Sequence, residues 1–133
     1  MMSKRIQEPT QYEDEIARRI IGAAIEVHRA LGAGYLEAVY EKALAVEFEV
    51  QGIQYAQQYP VSVLYRGQNV GTGFLDFFVE QCAVVELKAV EDLLPVHTAQ
   101  VISYLKATET RLGLLVNFNV PVLKQGIKRV VLS

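Results

Sequence analysis

Asp76, Glu86 and Lys88 are charged residues set inside sequence that otherwise reads as a buried β-hairpin. The flanking runs Phe74–Val79 and Ala83–Ala89 are rich in β-branched and aromatic residues, the composition of strands buried on at least one face. Side chains alternate along a strand, so Val84, Glu86 and Lys88 share one face while Val85, Leu87 and Ala89 share the other. A three-residue loop at Glu80-Gln81-Cys82 would set Asp76 directly across from Glu86. Like charges placed opposite each other destabilise a sheet. At ~4 Å and an effective dielectric of about 20, two carboxylates repel by roughly 4 kcal/mol. A divalent cation is the usual way to offset such repulsion. The same residues would also fit an ordinary hairpin, with Asp76 at an edge and Glu86 paired to Lys88. Short motifs match often by chance, so other segments must decide.

Two segments supply further candidates. Gly34-Tyr35-Leu36-Glu37-Ala38-Val39-Tyr40 opens a predicted helix running to about Gln51 and closed by Gly52. Glu37 falls in its first turn, where the helix dipole favours an acid, and that alone would explain it. Pro95 opens a second predicted helix ending near Thr108. His97, Gln100 and Tyr104 share one face of it by their i, i+3 and i+4 spacing. Taken alone, Tyr104 would be a core residue and Gln100 a solvated one. His28 and His97 are weaker candidates, because a lone helical histidine is more often structural than a ligand.

Together and in this order, these residues resemble the small GxxExxY proteins, a branch of the PD-(D/E)XK nuclease superfamily. Gly34, Glu37 and Tyr40 carry the spacing that names that family. Asp76 followed by Glu86-Leu87-Lys88 resembles the superfamily's active-site signature, and Gln100-x-x-x-Tyr104 the Gln/Tyr motif of its RecB-like members. The resemblance runs from about Ile20 to Val131 and includes Ile25–Gly32 and Leu114–Pro121. No signature position is missing, which argues against a degenerate copy. The resemblance implies a restriction-endonuclease-like core and metal-dependent hydrolysis of phosphodiester bonds in DNA, or alternatively RNA. It implies Glu37, Asp76, Glu86, Lys88, Gln100 and Tyr104 as catalytic residues. Asp76, Glu86, the Leu87 carbonyl and Glu37 would hold Mg²⁺ or Mn²⁺, hard cations that suit oxygen donors. Lys88 would orient the attacking water or stabilise developing charge, with Gln100 and Tyr104 behind it.

Composition bounds these expectations. One cysteine, Cys82, rules out an internal disulfide and excludes a four-cysteine iron–sulfur cluster; Cys82 itself reads as inert filling of an apolar strand. The apolar fraction of 51% is high, yet charges break it and no run is long enough to span a bilayer. The first residues lack an apolar signal region, so a cytoplasmic protein without membrane contact is expected. Net charge is −2 and the pI about 5.7, whereas a duplex-binding surface normally carries a basic footprint. Lys4, Arg5, Arg18 and Arg19, then Lys124, Lys128 and Arg129, cluster in sequence but also read as solvated charges. Targeting would therefore come from a partner protein or a homodimer. A non-cleaving nucleic-acid-binding module and a protein-interaction subunit are the alternatives.

The elements that must position these residues form a mixed α/β layout in one domain spanning 1–133, with 1–12 expected as a flexible tail. A helix is predicted over Asp14–Leu31, carrying Ile16, Ile20, Ala24, Val27 and Leu31 at helical spacing. Strands are predicted near Ile53–Gln58, Val61–Tyr65, Phe74–Val79 and Cys82–Ala89. Arg66-Gly67-Gln68 and Gly71-Thr72-Gly73 read as turns. Leu112–Phe118 reads as a strand buried on both faces, joined to the Glu86 strand by the Gln100 helix in a right-handed, parallel crossover. A last strand is predicted over Lys128–Leu132.

Overall fold

In the computed structural model, which describes residues 9–132, a five-stranded mixed sheet separates two helical layers. Three helices, α1 (Gln11–Leu31), α2 (Glu37–Gln51) and α3 (Pro95–Thr108), accompany strands β1 (Tyr55–Tyr65), β2 (Gln68–Val79), β3 (Ala83–Lys88), β4 (Leu112–Asn117) and β5 (Ile127–Val131). The strands lie in the order β1-β2-β3-β4-β5. Only β3 and β4 run parallel, as a crossover through α3 demands; every other neighbour is antiparallel. This mixed five-stranded sheet flanked by helices is the α/β layout expected from the sequence.

Each helix forms where its sequence supplies an apolar stripe and an end. Thr10 and Glu13 build a reciprocal capping box at the start of α1, and Ile16, Ile20, Ala24 and Val27 turn its stripe into the core. Tyr40, Leu44 and Phe48, four residues apart, do the same for α2, which stops at Gly52 in the left-handed conformation. These two helices cover one face of the sheet through Phe77, Val85, Leu87, Leu114 and Val116. On the other face α3 seats Val101 and Leu105 against Leu75, Val84 and Leu115. The central strand β4 is therefore buried on both faces, as its unbroken apolar run predicts.

The first hairpin departs from the sequence expectation. Strand β1 is continuous where two strands were expected, and Gly71-Thr72-Gly73 lie inside β2 rather than in a turn. The turn is at Arg66–Gly67, and Gly73 has a packing role instead: a Cβ there would sit 3.0 Å from the Tyr104 ring. Cys82 belongs to the turn before β3, not to the strand. Gln11 and Tyr12 are helical, so the expected tail does not extend over them; Met1 to Glu8, with Lys4 and Arg5, lie outside the described residues. The Leu123–Gly126 3₁₀ turn was not foreseen.

Strict alternation also fails beside Asp76, and the failure bears on the site. Tyr55 of β1 and Phe77 and Val79 of β2 face α1 and α2, yet Val61 and Leu75 face α3. Pairing runs Gln57 with Phe77 and then Tyr59 with Leu75, skipping Gln58 and Asp76. Gln58 takes a positive φ of 52° there. Both strands thus change face at this step, and Asp76 sits at the crossover. Beyond it the hairpin becomes an exposed arm that leaves Val63, Leu64, Tyr65, Val70 and Phe74 in solvent.

Candidate functional site

The ladder between β2 and β3 closes at Phe77–Val85 and opens beyond it. Side chains replace backbone pairing in the fork. The Asp76 backbone N–H donates to Glu86 Oε2 at 2.7 Å, and the Leu87 N–H donates to Asp76 Oδ2 at 2.8 Å. Both carboxylates are buried, and each receives a backbone donor from the other's strand. Such donors offset part of the mutual repulsion that the sequence alone assigned wholly to a cation. They do not remove it. Burial first, and Asp76 second, push the Glu86 carboxyl up to about 8. Burial likewise raises Asp76.

Lys88 lies on the α3 face with Glu86 and Val84, as alternation predicts. Its Nζ is 3.5 Å from Gln100 Oε1, and Gln100 Nε2 is 3.4 Å from the Tyr104 hydroxyl. These are long contacts, at the outer limit for hydrogen bonds, and they put Lys88, Gln100 and Tyr104 in one line. Among the described residues Lys88 makes no ion pair, so the ordinary-hairpin reading with a Glu86–Lys88 pair fails. Tyr104 is raised by burial and then by the Glu86 charge.

From the other layer, Glu37 begins α2. Burial and the Asp76 charge raise its carboxyl while Lys88 opposes them, so it shares the field of the fork. Its neighbours explain the spacing of Gly34, Glu37 and Tyr40. Gly34 supplies a φ of 111° in the α1–α2 turn. The Tyr40 hydroxyl donates to the Gly32 carbonyl at 2.5 Å and accepts the Tyr35 N–H at 3.2 Å. Its ring stacks on Phe118 at 4.5 Å. Glycine and tyrosine thus shape and pin the turn that delivers Glu37.

The two histidines lie elsewhere in function. His28 Nε2 is 2.9 Å from the Val120 carbonyl. His97 Nδ1 accepts the Leu94 N–H at 3.0 Å, closing the start of α3. Three residues near the fork escaped the sequence reading. Glu41, one turn after Glu37, adds a charge that raises both Asp76 and Glu37; the i, i+4 spacing was its available signal. Gln58 donates to Asp76 Oδ1 at 3.2 Å. Asn117 is buried and brackets Val90, bonding its N–H and its carbonyl, which ties the chain just after Lys88. Nothing in the sequence marked Gln58 or Asn117.

A divalent cation suits this donor set. Every donor is a hard oxygen, and no donor group among the described residues reaches Glu86 Oε1. Within a strand, one residue's N–H and C=O point the same way, so the Leu87 carbonyl is directed into the fork beside Asp76. Among the described residues no three acidic, histidine or cysteine side chains form a ready cage, so two carboxylates, a carbonyl and water are the available ligands. Of the basic residues, Arg18, Arg29, Arg111 and Arg129 are engaged with Glu15, Glu26, Glu13 and Asp14. No helix among the described residues is long and apolar enough to cross a membrane.

A sequence model of the PD-(D/E)XK nuclease superfamily matches residues 14–130, and the chain belongs to that superfamily. Its members are nucleases that typically use divalent metal ions, and the fold implies nucleic-acid binding in general. A search of curated protein sequences finds no match.

Proposed function

We propose that this chain is a Mg²⁺- or Mn²⁺-dependent nuclease of the GxxExxY branch, with RecB-like features in α3, that hydrolyses phosphodiester bonds in DNA or RNA. The fork carries this reading: Asp76 and Glu86 exchange backbone donors across it while Lys88 lies on the same face, next to Gln100. Asp76, Glu86 and the Leu87 carbonyl would hold the cation, with Glu37 near enough to contribute. A bound cation supplies a water of lowered pKa and neutralises charge at the scissile phosphate. Lys88 directs its ammonium at the phosphate oxygen on which charge develops. Gln100 restrains the Lys88 side chain, and Tyr104 restrains Gln100.

The test is cleavage by the full chain with Mg²⁺ or Mn²⁺ on single-stranded, duplex and branched DNA and RNA. Asp76→Asn should abolish both cleavage and Mn²⁺-dependent thermal stabilisation while maintaining or raising stability in EDTA. Metal binding to the folded state is what shifts that equilibrium, so equal stabilisation of parent and variant would contradict the assignment.

The exposed β1–β2 arm supports a second reading, in which a second copy of this chain covers Val63, Leu64 and Val70. That stretch is free of acidic residues, with Arg66 its lone charge from Val50 to Leu75, so two copies would meet there without repulsion. Light scattering on the parent and on Leu64→Glu decides it. A dimer that the substitution dissociates supports this reading, and a parent monomer at all concentrations removes it.

A further inference from the structure

Gln58 stands where two independent irregularities coincide. It is the β1 residue at which the first hairpin changes face, and it holds a left-handed backbone without being glycine. Non-glycine residues in that region are strained and persist when their surroundings over-determine them. The surroundings here are two carboxylates. The Gln58 amide nitrogen donates to Glu41 Oε2 at 2.9 Å and to Asp76 Oδ1 at 3.2 Å, which uses both of its hydrogens. A second amide, from Gln57, reaches the same Glu41 oxygen at 2.8 Å. Among the described residues it is a neutral amide, not a positive charge, that bridges Glu41 and Asp76.

We infer that Gln58 is a positioning residue for the carboxylate fork, screening Asp76 from Glu41 and fixing Asp76 so that its free lone pairs converge with Glu86. This rests on the metal-dependent reading above. Without the amide, Asp76 keeps only the Leu87 N–H and meets Glu41 unscreened. Its carboxylate is then free to rotate away from Glu86, and a cation has two competing places to sit instead of one. Loss of an outer hydrogen-bond partner of a metal ligand typically weakens metal binding ten- to hundredfold.

Gln58→Gly is the informative variant, because glycine keeps the positive φ and the change of face while removing the amide. Mn²⁺ binding to the full chain is read by isothermal titration and by electron paramagnetic resonance, with no substrate present. The expected result is a ten- to hundredfold weaker Mn²⁺ affinity in Gln58→Gly, with unfolding in EDTA little changed. Gln58→Asn, which tolerates the same positive φ and keeps a side-chain amide, should recover part of the lost affinity. A residue that merely shaped the hairpin would show no such rescue. Mn²⁺ bound equally by parent and Gln58→Gly, but lost in Asp76→Asn, overturns this inference and leaves the nuclease reading standing. No Mn²⁺ binding by the parent overturns both.

Discussion

At the residue scale the decisive feature is a pair of buried carboxylates that backbone donors in the fork compensate in part and that the proposed cation would compensate further. Without the cation the compensation is incomplete, and pH should reveal it. Glu86 is ordinarily near 4.5 but rises to about 8 in the fold, so the native state keeps a proton that the unfolded chain releases between those values. Its contribution to stability is therefore fully present below about 4.5 and lost as pH rises through about 8. In EDTA, the unfolding midpoint of the parent should fall relative to Glu86→Gln between pH 5 and 8.5. At about 1.4 kcal/mol per pKa unit the difference is a few kcal/mol; parallel pH profiles would show that Glu86 ionises freely in the fold. The proposed role of Lys88 is in the chemistry instead. Lys88→Ala should lower turnover by roughly a hundredfold or more, with Mn²⁺ affinity the same or slightly higher, because a nearby positive charge opposes cation binding. Tyr104→Phe should be milder, removing one long contact to Gln100. Severe loss of nucleic-acid binding in Lys88→Ala, with no cleavage by the parent, would instead favour a non-cleaving binding module.

At the element scale, what the sequence disclosed depended on how local the physics was. Proline marked the start of α3 at Pro95, and Gly52 ended α2. The loop Glu80-Gln81-Cys82 put Asp76 across from Glu86 because a hairpin's register follows from its loop length. The change of face at Gln58 and Asp76 was not legible, because nothing in a Gln-Tyr-Pro run signals a left-handed residue. Gly73 was misread as a turn for a related reason: its lack of a Cβ serves a ring that arrives from α3, 31 positions later in the chain. Glu37 was legible as an acid at a helix start, but Tyr40's grip on the preceding turn is a tertiary fact. Tyr40→Phe tests that grip. It preserves the stack on Phe118 and leaves the Gly32 carbonyl and the Tyr35 N–H without their partner. About 1–3 kcal/mol of stability should go, a drop in the unfolding midpoint on the order of 4–11 °C. Cleavage should fall further than stability explains, because the turn carrying Glu37 is released. A variant as active as the parent per folded molecule would detach Glu37 from the site.

At the scale of the whole molecule, charge sets how the chain can meet a polyanion. The net charge is −2, and four arginines are held in ion pairs away from the fork. The arm beside the site is nearly uncharged, and the fork itself is acidic until a cation enters. Counterion release, the main source of affinity for nucleic acid, scales with the number of phosphates met by lysine or arginine. Among the described residues Lys88 stands at the fork and Arg66 on the arm, and Arg19, Lys42, Lys106, Lys124 and Lys128 are the other basic residues outside ion pairs. Binding of a labelled oligonucleotide should therefore require a divalent cation, with Ca²⁺ serving as one expected to permit little cleavage. Its affinity should lie in the weak, non-specific range of roughly 10⁻⁴ to 10⁻⁶ M, and log K should fall with log salt at a slope of only about −1 to −3. Asp76→Asn should abolish the cation requirement, since the repulsive carboxylate is gone and no bridging ion is held. A slope of about −6 or steeper in the parent would mean that the scattered basic residues act together as a footprint. In that case the chain would need no partner to find its substrate.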